Sequence, residues 1–244
     1  MKISVITVTW NAARWVELTL RSVLCQTCTD YEHLIVDGAS SDATMSIVRR
    51  YASLNPRLRW VSEPDHGLYD AMNKALRLAK GDFVWFINAG DALYDAATLG
   101  RVADAIDDTV DIVYGRTCVV NQEGVPIGEH HKPTPALLTR RSLLNGLVVS
   151  HQSIIVRRTI AHPYNTAYRI SADYDWVLRA VSASRRNVFI DAPLSRFMTS
   201  GLSAKHRKRS WAERFTIMRH HYGLPLTLWA HLLIALRYPF SQKY

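Results

Sequence analysis

Cysteine is scarce in this chain, with three in 244 residues. That number cannot build the disulfide framework of a small secreted domain. Cys25 and Cys28 form a Cys-x-x-Cys pair, but a closed zinc site needs four ligands and only Cys118 is left. The spacing allows a redox pair; the plainer reading is two small residues at a helix end. Long apolar runs are also missing, since none reaches the roughly 20 residues that cross a bilayer. The chain enters a strand pattern at once, Lys2-Ile3-Ser4-Val5-Ile6-Thr7-Val8-Thr9, so no leader peptide is expected. There is no Gly-x-Gly-x-x-Gly and no Gly-Lys-Ser/Thr phosphate loop, which disfavours dinucleotide oxidoreductases and P-loop enzymes. No low-complexity linker and no internal repeat divides the chain.

Acid is the charge in short supply. Thirty Lys and Arg stand against 21 Asp and Glu, a formal net charge of +9. From Gly201 onward eight of those cations meet a single acid, Glu213. A localised basic field calls for an anionic partner: a membrane surface, a nucleic acid or a phosphorylated substrate. The apolar stretch 224–236, with Trp229 inside it and basic residues beside it, fits a helix lying in an anionic lipid interface. It equally fits a helix packed on the domain or on a second copy.

What is present is a repeated strand–helix alternation. Residues 3–9, 33–37, 58–61 and 83–87 read as strands, with helical patterns between them through Val16–Leu24, across Ile47, Val48 and Tyr51, and over 68–79. Such alternation over the first ~90 residues indicates a parallel sheet of βαβ units. The second half is less regular: strands at 111–115, 151–156 and 187–190, a hairpin around Glu123-Gly124, and a helix opening at Ser171-Ala172-Asp173.

Open sheets of this kind bind ligands beyond the carboxyl ends of their strands, and the acids fall there. Asp37 ends a strand before a Gly/Ser turn and can accept bonds from a base or ribose. Asp65-His66-Gly67 precedes a helix that carries Asp70, Asn73 and Lys74 on one face. A helix start behind a glycine favours anions, although an Asp70–Lys74 pair on a solvated face is the plainer reading. Phe83-Val84-Trp85-Phe86-Ile87 runs into Asn88-Ala89-Gly90-Asp91, where Asn88 and Asp91 can offer oxygen ligands to Mg²⁺ or Mn²⁺. Asp173 and Asp175 flank Tyr174; each can serve a helix start, and one can act as general base.

Together these stretches resemble the family 2 glycosyltransferases with the GT-A fold, an α/β mixed sheet flanked by helices. The resemblance rests on Val5-Ile6-Thr7-Val8-Thr9-Trp10-Asn11, Val36-Asp37-Gly38-Ala39-Ser40-Ser41-Asp42, Glu63-Pro64-Asp65-His66-Gly67-Leu68-Tyr69-Asp70-Ala71-Met72-Asn73-Lys74 and Phe86-Ile87-Asn88-Ala89-Gly90-Asp91. Ser150-His151-Gln152, Ala172-Asp173-Tyr174 and Gly201-Leu202-Ser203 extend it. The subgroup it looks most like contains bacterial enzymes of colanic-acid-type exopolysaccharide and glycolipid assembly.

The resemblance implies a glycosyltransferase domain over 1–203 with a basic helical segment over 204–244. It implies an inverting, metal-assisted hexosyl transfer from a UDP-, GDP- or dTDP-linked donor to a hydroxyl of a glycan or lipid-linked acceptor. By position, Thr9, Asn11, Asp37, Ser40, Asp65, Asp70, Asn73, Lys74, Asn88, Ala89 and Gly90 fall to the donor, and His151 and Gln152 to the acceptor side. Asp91 falls to Mn²⁺ or Mg²⁺, Asp173 to the base, and His206 is a further candidate ligand. An amide, Asn88, replaces one acid of the family's usual metal-binding triplet. A cytoplasmic setting follows, at the inner face of the membrane where lipid-linked glycans are assembled. A sugar-nucleotide nucleotidyltransferase would need a glycine-rich loop that Thr7-Val8-Thr9-Trp10-Asn11 lacks. A non-catalytic binding module would not retain Asp37, Asp91 and Asp173. A nucleic-acid partner explains none of the acidic turns and is not expected.

Overall fold

The first apolar run becomes strand β1 (Ile3–Thr9), buried at every position because both faces of the sheet around it are covered. In this computed structural model, which describes residues 2–129, 132–198 and 207–237, β1 lies inside a nine-stranded sheet. Strands β2 (Tyr31–Asp37), β3 (Leu58–Ser62) and β4 (Phe83–Phe86) run parallel to it in the order β3-β2-β1-β4. Helices α1 (Val16–Leu24), α2 (Thr44–Leu54) and α3 (Leu68–Leu78) cross between them. In-register pairing aligns Thr9 with Asp37 and Asp37 with Ser62, so these polar residues share one edge. Inside the sheet, His33 Nε2 lies 3.0 Å from Thr7 Oγ1, and Thr7 donates to the Ile87 carbonyl at 2.7 Å. Burial pushes His33 down to about 3, so it stays neutral and Nε2 is the donor.

The sheet turns mixed beyond β4. After β5 (Ala92–Leu93) and α4 (Thr98–Asp104), neither anticipated from sequence, come β6 (Ile112–Val120), β7 (Pro126–Glu129) and β8 (Ile154–Arg157). Strand β8 pairs antiparallel with both β4 and β6, and the order continues β8-β6-β9-β5. The parallel sheet expected of the first ~90 residues is found in the first four strands, and β6 also pairs parallel with β9. Two boundaries also differ from the sequence reading. His151–Ser153 is a 3-10 turn, and the strand begins at Ile154. The last strand, β9 (Asn187–Met198), continues past Asp191-Ala192-Pro193, because register shifts opposite Gly115 and Arg116 accommodate Pro193.

Helix α5 (Ala172–Ala183) covers the sheet near β8 and β4, burying Trp176, Val177 and Leu178 with Phe86 and Val156. Helices α6 (Arg207–Tyr222) and α7 (Leu224–Arg237) pack on each other, α6 against α5. Ile217, Met218 and Ala230 enter the same core.

Candidate functional site

Asp37 is fully buried at the end of β2, and every bond it accepts comes from a neighbouring turn or strand. Thr9 Oγ1 donates at 2.9 Å, Ser40 N at 2.9 Å and Ser62 Oγ at 2.6 Å, with Ser40 Oγ beside them. Burial pushes its carboxyl up, but the donors from Ser40, Ser62 and Thr9 outweigh it and hold Asp37 below its ordinary range. The turns themselves are cross-linked. Asn11 N donates to Ser40 Oγ at 2.8 Å, and Ser41 N donates to Asn11 Oδ1 at 2.9 Å. Ala12 N and Ala13 N reach Thr44 Oγ1 and Asp42 Oδ2. Asn11 and Ala39 sit at φ 47° and 56°, a left-handed backbone that costs a non-glycine residue roughly 1–2 kcal/mol. These bonds offset that cost and fix the loops. Gly38 forms the floor between two walls: a Cβ there would stand 2.6 Å from Asp65 Oδ2 and 3.4 Å from Trp10 Cδ1. Trp10 is 69% exposed, an apolar face open beside Asp37.

The acidic turn lies beyond β4. Gly90, at φ 102°, lets the chain reverse, and Thr19 of α1 holds the reversal. Thr19 Oγ1 accepts from Gly90 N at 3.0 Å and donates to Asp91 O at 2.6 Å. The Asp91 carboxylate is buried, accepting from Gln152 Nε2 at 2.8 Å and Met198 N at 3.2 Å. Burial, only partly opposed by those two donors, pushes it up to about 7. Asn88 Oδ1 is buried with no hydrogen-bond partner among the described residues. A carboxylate short of positive charge beside an orphaned amide oxygen suits a hard divalent cation that takes its other oxygens from a ligand and water. Among the described residues no group of three His, Cys, Asp or Glu could hold a metal by itself.

Asp173 and Asp175 are separated by their surroundings. Asp175 is buried; burial pushes it up, but His221 Nε2 at 2.8 Å and Arg179 Nε at 2.8 Å outweigh that and keep it ionised. Among the described residues Asp173 has no such pair. It accepts from Tyr174 N at 2.9 Å and faces Tyr69 Oη at 3.5 Å. Burial pushes it up to about 6, with Arg214 pulling the other way. A continuous chain of contacts links it to Asp91. Tyr69 stacks on Tyr164 with ring centres 5.6 Å apart, Tyr164 Oη lies 2.7 Å from His151 Nε2, and His151 precedes the Gln152 that bonds Asp91. Phe86 and Trp176 complete the aromatic packing. His151 is buried and held neutral, its ordinary value pushed down to about 4 by burial.

Several candidates on the 63–74 stretch spend their groups on the protein. Asn73 Nδ2 donates to Tyr164 O at 2.9 Å, and its Oδ1 accepts from Tyr164 N at 2.6 Å. Lys74 is paired with Glu63 at 2.9 Å and donates to Pro64 O at 3.1 Å, not with Asp70. Asp70 accepts from His66 N at 2.9 Å and so closes the first turn of α3. Asp65 accepts from Gly67 N at 3.0 Å. His206 and Gly201-Leu202-Ser203 lie outside the described residues. Sequence reasoning missed Thr19, Tyr164 and Glu213. Glu213, the one acid of the tail, accepts from the backbone N–H of Arg169, Ile170 and Ser171 at 2.8–3.0 Å. It thereby fixes the entry to α5, whose N-cap Ser171 makes no side-chain cap bond of its own.

Residues 4–165 match the family described as "Glycosyl transferase family 2". The chain belongs to that family. A "PGL/p-HBAD biosynthesis glycosyltransferase" of Mycobacterium tuberculosis is 36% identical over 185 residues, 73% of this chain and 69% of that protein. Among solved structures, Staphylococcus aureus TarS 1–349 in complex with UDP-GlcNAc superposes with a TM-score of 0.71 at 24% identity, over 90% of this chain and 65% of that one. The mannosyltransferase PcManGT of Pyrobaculum calidifontis, in complex with GDP-Man and Mn²⁺, superposes with a TM-score of 0.66 at 21% identity, over 96% of this chain and 75% of that one. At those identities the likeness establishes the fold, which is GT-A, and the chain spans about two thirds of the TarS fragment.

The Glu213 contacts predict a graded series. Glu213→Ala leaves three backbone N–H groups without their acceptor and should cost about 2 kcal/mol, with Glu213→Gln costing less. Urea unfolding measures both; an alanine variant as stable as wild type would show that the contacts do not hold the α5 entry.

Proposed function

We propose that this family 2 glycosyltransferase moves a sugar from a nucleoside-diphosphate donor to an acceptor hydroxyl with inversion, building a cell-surface polysaccharide or glycolipid. The observation that carries this reading is the linked pair of carboxylates, buried Asp91 and half-buried Asp173, raised to about 7 and about 6. Asp37, buried and satisfied by Thr9, Ser40 and Ser62, holds the turns that would present the Gly38 floor to the base and ribose, with Asp65 and Asp70 on the donor side and Asn11 and Ser40 bracing the loops. The nucleotide is UDP, GDP or dTDP; the bound ligands of TarS and PcManGT support the first two. Mn²⁺ or Mg²⁺ held by Asn88 and Asp91 would neutralise the donor diphosphate. Asp173 takes the proton of the acceptor hydroxyl, whose oxygen attacks the anomeric carbon from the face opposite the nucleotide. The bond from that carbon to the diphosphate breaks, and the nucleoside diphosphate leaves with the electron pair. Gln152 orients Asp91, and His151, too buried to meet a polar acceptor, orients Tyr164 and through it Tyr69.

The base reading predicts a pH limb with a fixed sign. Burial raises Asp173, so the carboxylate is present above about pH 6 and is lost below it. Transfer should fall in proportion to acidity below that point. Asp173→Asn should reduce kcat by about a hundredfold or more while donor-induced thermal stabilisation persists. Retained transfer in that variant would overturn the assignment.

We also place the enzyme at the inner, anionic face of the cytoplasmic membrane, working on a lipid-linked acceptor. No helix among the described residues is long and apolar enough to cross a membrane. Helix α7 is instead built inside out. Thr227 and Ala230 face the protein, whereas Leu224, Leu226, Leu228, Trp229 and Leu232 face outward. Lys208, Arg209 and Arg219 on α6 are exposed near this apolar surface in sequence, the composition of an interfacial helix on anionic lipid. The full chain should float with phosphatidylglycerol vesicles and not with phosphatidylcholine, and Leu228→Glu with Trp229→Glu should abolish flotation. Unchanged flotation in that double variant would discard the membrane surface.

A further inference from the structure

We propose that Tyr69 is the positioning residue for Asp173: its hydroxyl turns one proton between Ile170 O and Asp173 Oδ1 as the carboxyl gains and loses its own. The place of that hydroxyl oxygen is fixed from three sides. Tyr69 is buried on α3, donates to Ile170 O at 2.8 Å, and stacks on Tyr164 with ring centres 5.6 Å apart and planes inclined by 24°. Tyr164 is stacked in turn on Trp176 of α5, at 5.1 Å with planes inclined by 10°. Asn73, one turn along α3 from Tyr69, clamps the Tyr164 backbone with both ends of its amide, at 2.9 and 2.6 Å. The ring cannot swing without breaking this stack, so rotation of the O–H bond about C–O is the motion left to Tyr69.

A phenol has one proton to donate, and two acceptors compete for this one. Ile170 O, at 2.8 Å, is the nearer. Asp173 Oδ1 lies at 3.5 Å, the outer edge of hydrogen-bond range, and already accepts from Tyr174 N at 2.9 Å. Bonds to a charged acceptor are roughly twice as strong as neutral ones. The proton therefore turns toward Oδ1 when Asp173 is ionised and back to Ile170 O when it is neutral. Burial first, and the charge of Asp173 second, push Tyr69 well above the ordinary phenol range, so the hydroxyl keeps its proton throughout. Tyr164 is raised in the same way and in the same order. Two groups of α6 also act here: Arg214 opposes the effect of burial on Asp173, and Glu213 adds to that on Tyr69. Among the described residues neither forms an ion pair or hydrogen bond with Asp173. In transfer, the acceptor proton passes to Asp173 Oδ2 and the Tyr69 proton stays on Tyr69. The hydroxyl holds Oδ1 before that step and releases it afterwards, keeping the carboxylate in one orientation. The catalytic meaning rests on reading Asp173 as the base; the coupling of the two groups does not.

Titration of Asp173 itself tests the coupling. Carboxyl carbon-13 resonances would be followed against pH in the full chain labelled at aspartate, the Asp173 signal being the one absent from Asp173→Asn. Tyr69→Phe keeps the ring and its stack and deletes only the oxygen. Without that donor the charged form loses support, so the Asp173 midpoint should move up by about 0.5 pH or more. The acid limb of kcat should move with it. On its plateau kcat should fall about tenfold as the carboxylate loses its fixed orientation, with the donor KM unchanged. Tyr164→Phe deletes a phenol oxygen of the same stack that meets His151 instead, and should leave the midpoint in place. An unmoved midpoint in Tyr69→Phe would overturn the proposal even if kcat fell, because packing alone would then explain the loss. Equal shifts in the two variants would overturn it as well, by making loosened packing the cause. If Tyr69→Phe moved the midpoint while Asp173→Asn retained transfer, the base reading would fail and the coupling would stand.

Discussion

The two halves of this sheet meet at one buried carboxylate. Asp91 sits at the end of the β4 turn, accepts from Gln152 just before β8, and accepts from the backbone of Met198 at the end of β9. The all-parallel first half and the mixed second half, where β6 and β9 pair in parallel, are thus tied through one side chain. The arrangement is costly without a ligand, because neither donor brings a positive charge and the group is raised to about 7. Among the described residues Asn88 Oδ1, in the same turn, has no hydrogen-bond partner, and perturbed groups of this kind mark candidate ligand sites.

Around that point the site is built from contrasts between similar groups. Asp37 ends β2 and Asp91 directly precedes β5; four donors keep the first ionised and two leave the second raised. Asp173 and Asp175 are two residues apart on one helix; Arg179 and His221 hold the latter ionised, while burial raises the former. The sequence cannot display these contrasts, because the deciding partners lie far along the chain: Gln152 is 61 residues from Asp91, and His221 is 46 from Asp175.

The first four strands and three helices were readable because each is a local unit: an apolar run, a turn, an amphipathic helix. The acids at their ends were readable for the same reason, since a carboxylate after an apolar run is a local signal. The second half was less so. Strand β9 crosses Pro193 only because β6 offers an irregular register there, and the turn before β8 forms because Trp85 Nε1 donates to Gln152 O and Gln152 reaches Asp91. Asn73 and Lys74 share a face as their spacing requires, but whether that face meets solvent, ligand or protein is decided by Tyr164 and Glu63. Glu213 stood out as the lone acid of a basic tail, yet its three backbone partners could not be named until α6 was seen against α5. That contact makes the tail a structural support for the helix bearing Asp173, whatever its outer face binds.

The most direct test of the account is nucleotide-dependent thermal stabilisation. The melting temperature would be followed with UDP, GDP and dTDP, each with Mn²⁺, Mg²⁺ or EDTA, in the wild type and in Asp91→Asn. The account predicts that one nucleotide raises the melting temperature with its concentration, that the metals enlarge the shift over EDTA, and that Asp91→Asn removes the metal-dependent part. A shift equal in metal and in EDTA, or no shift with any nucleotide, would contradict a diphosphate site built on Asn88 and Asp91.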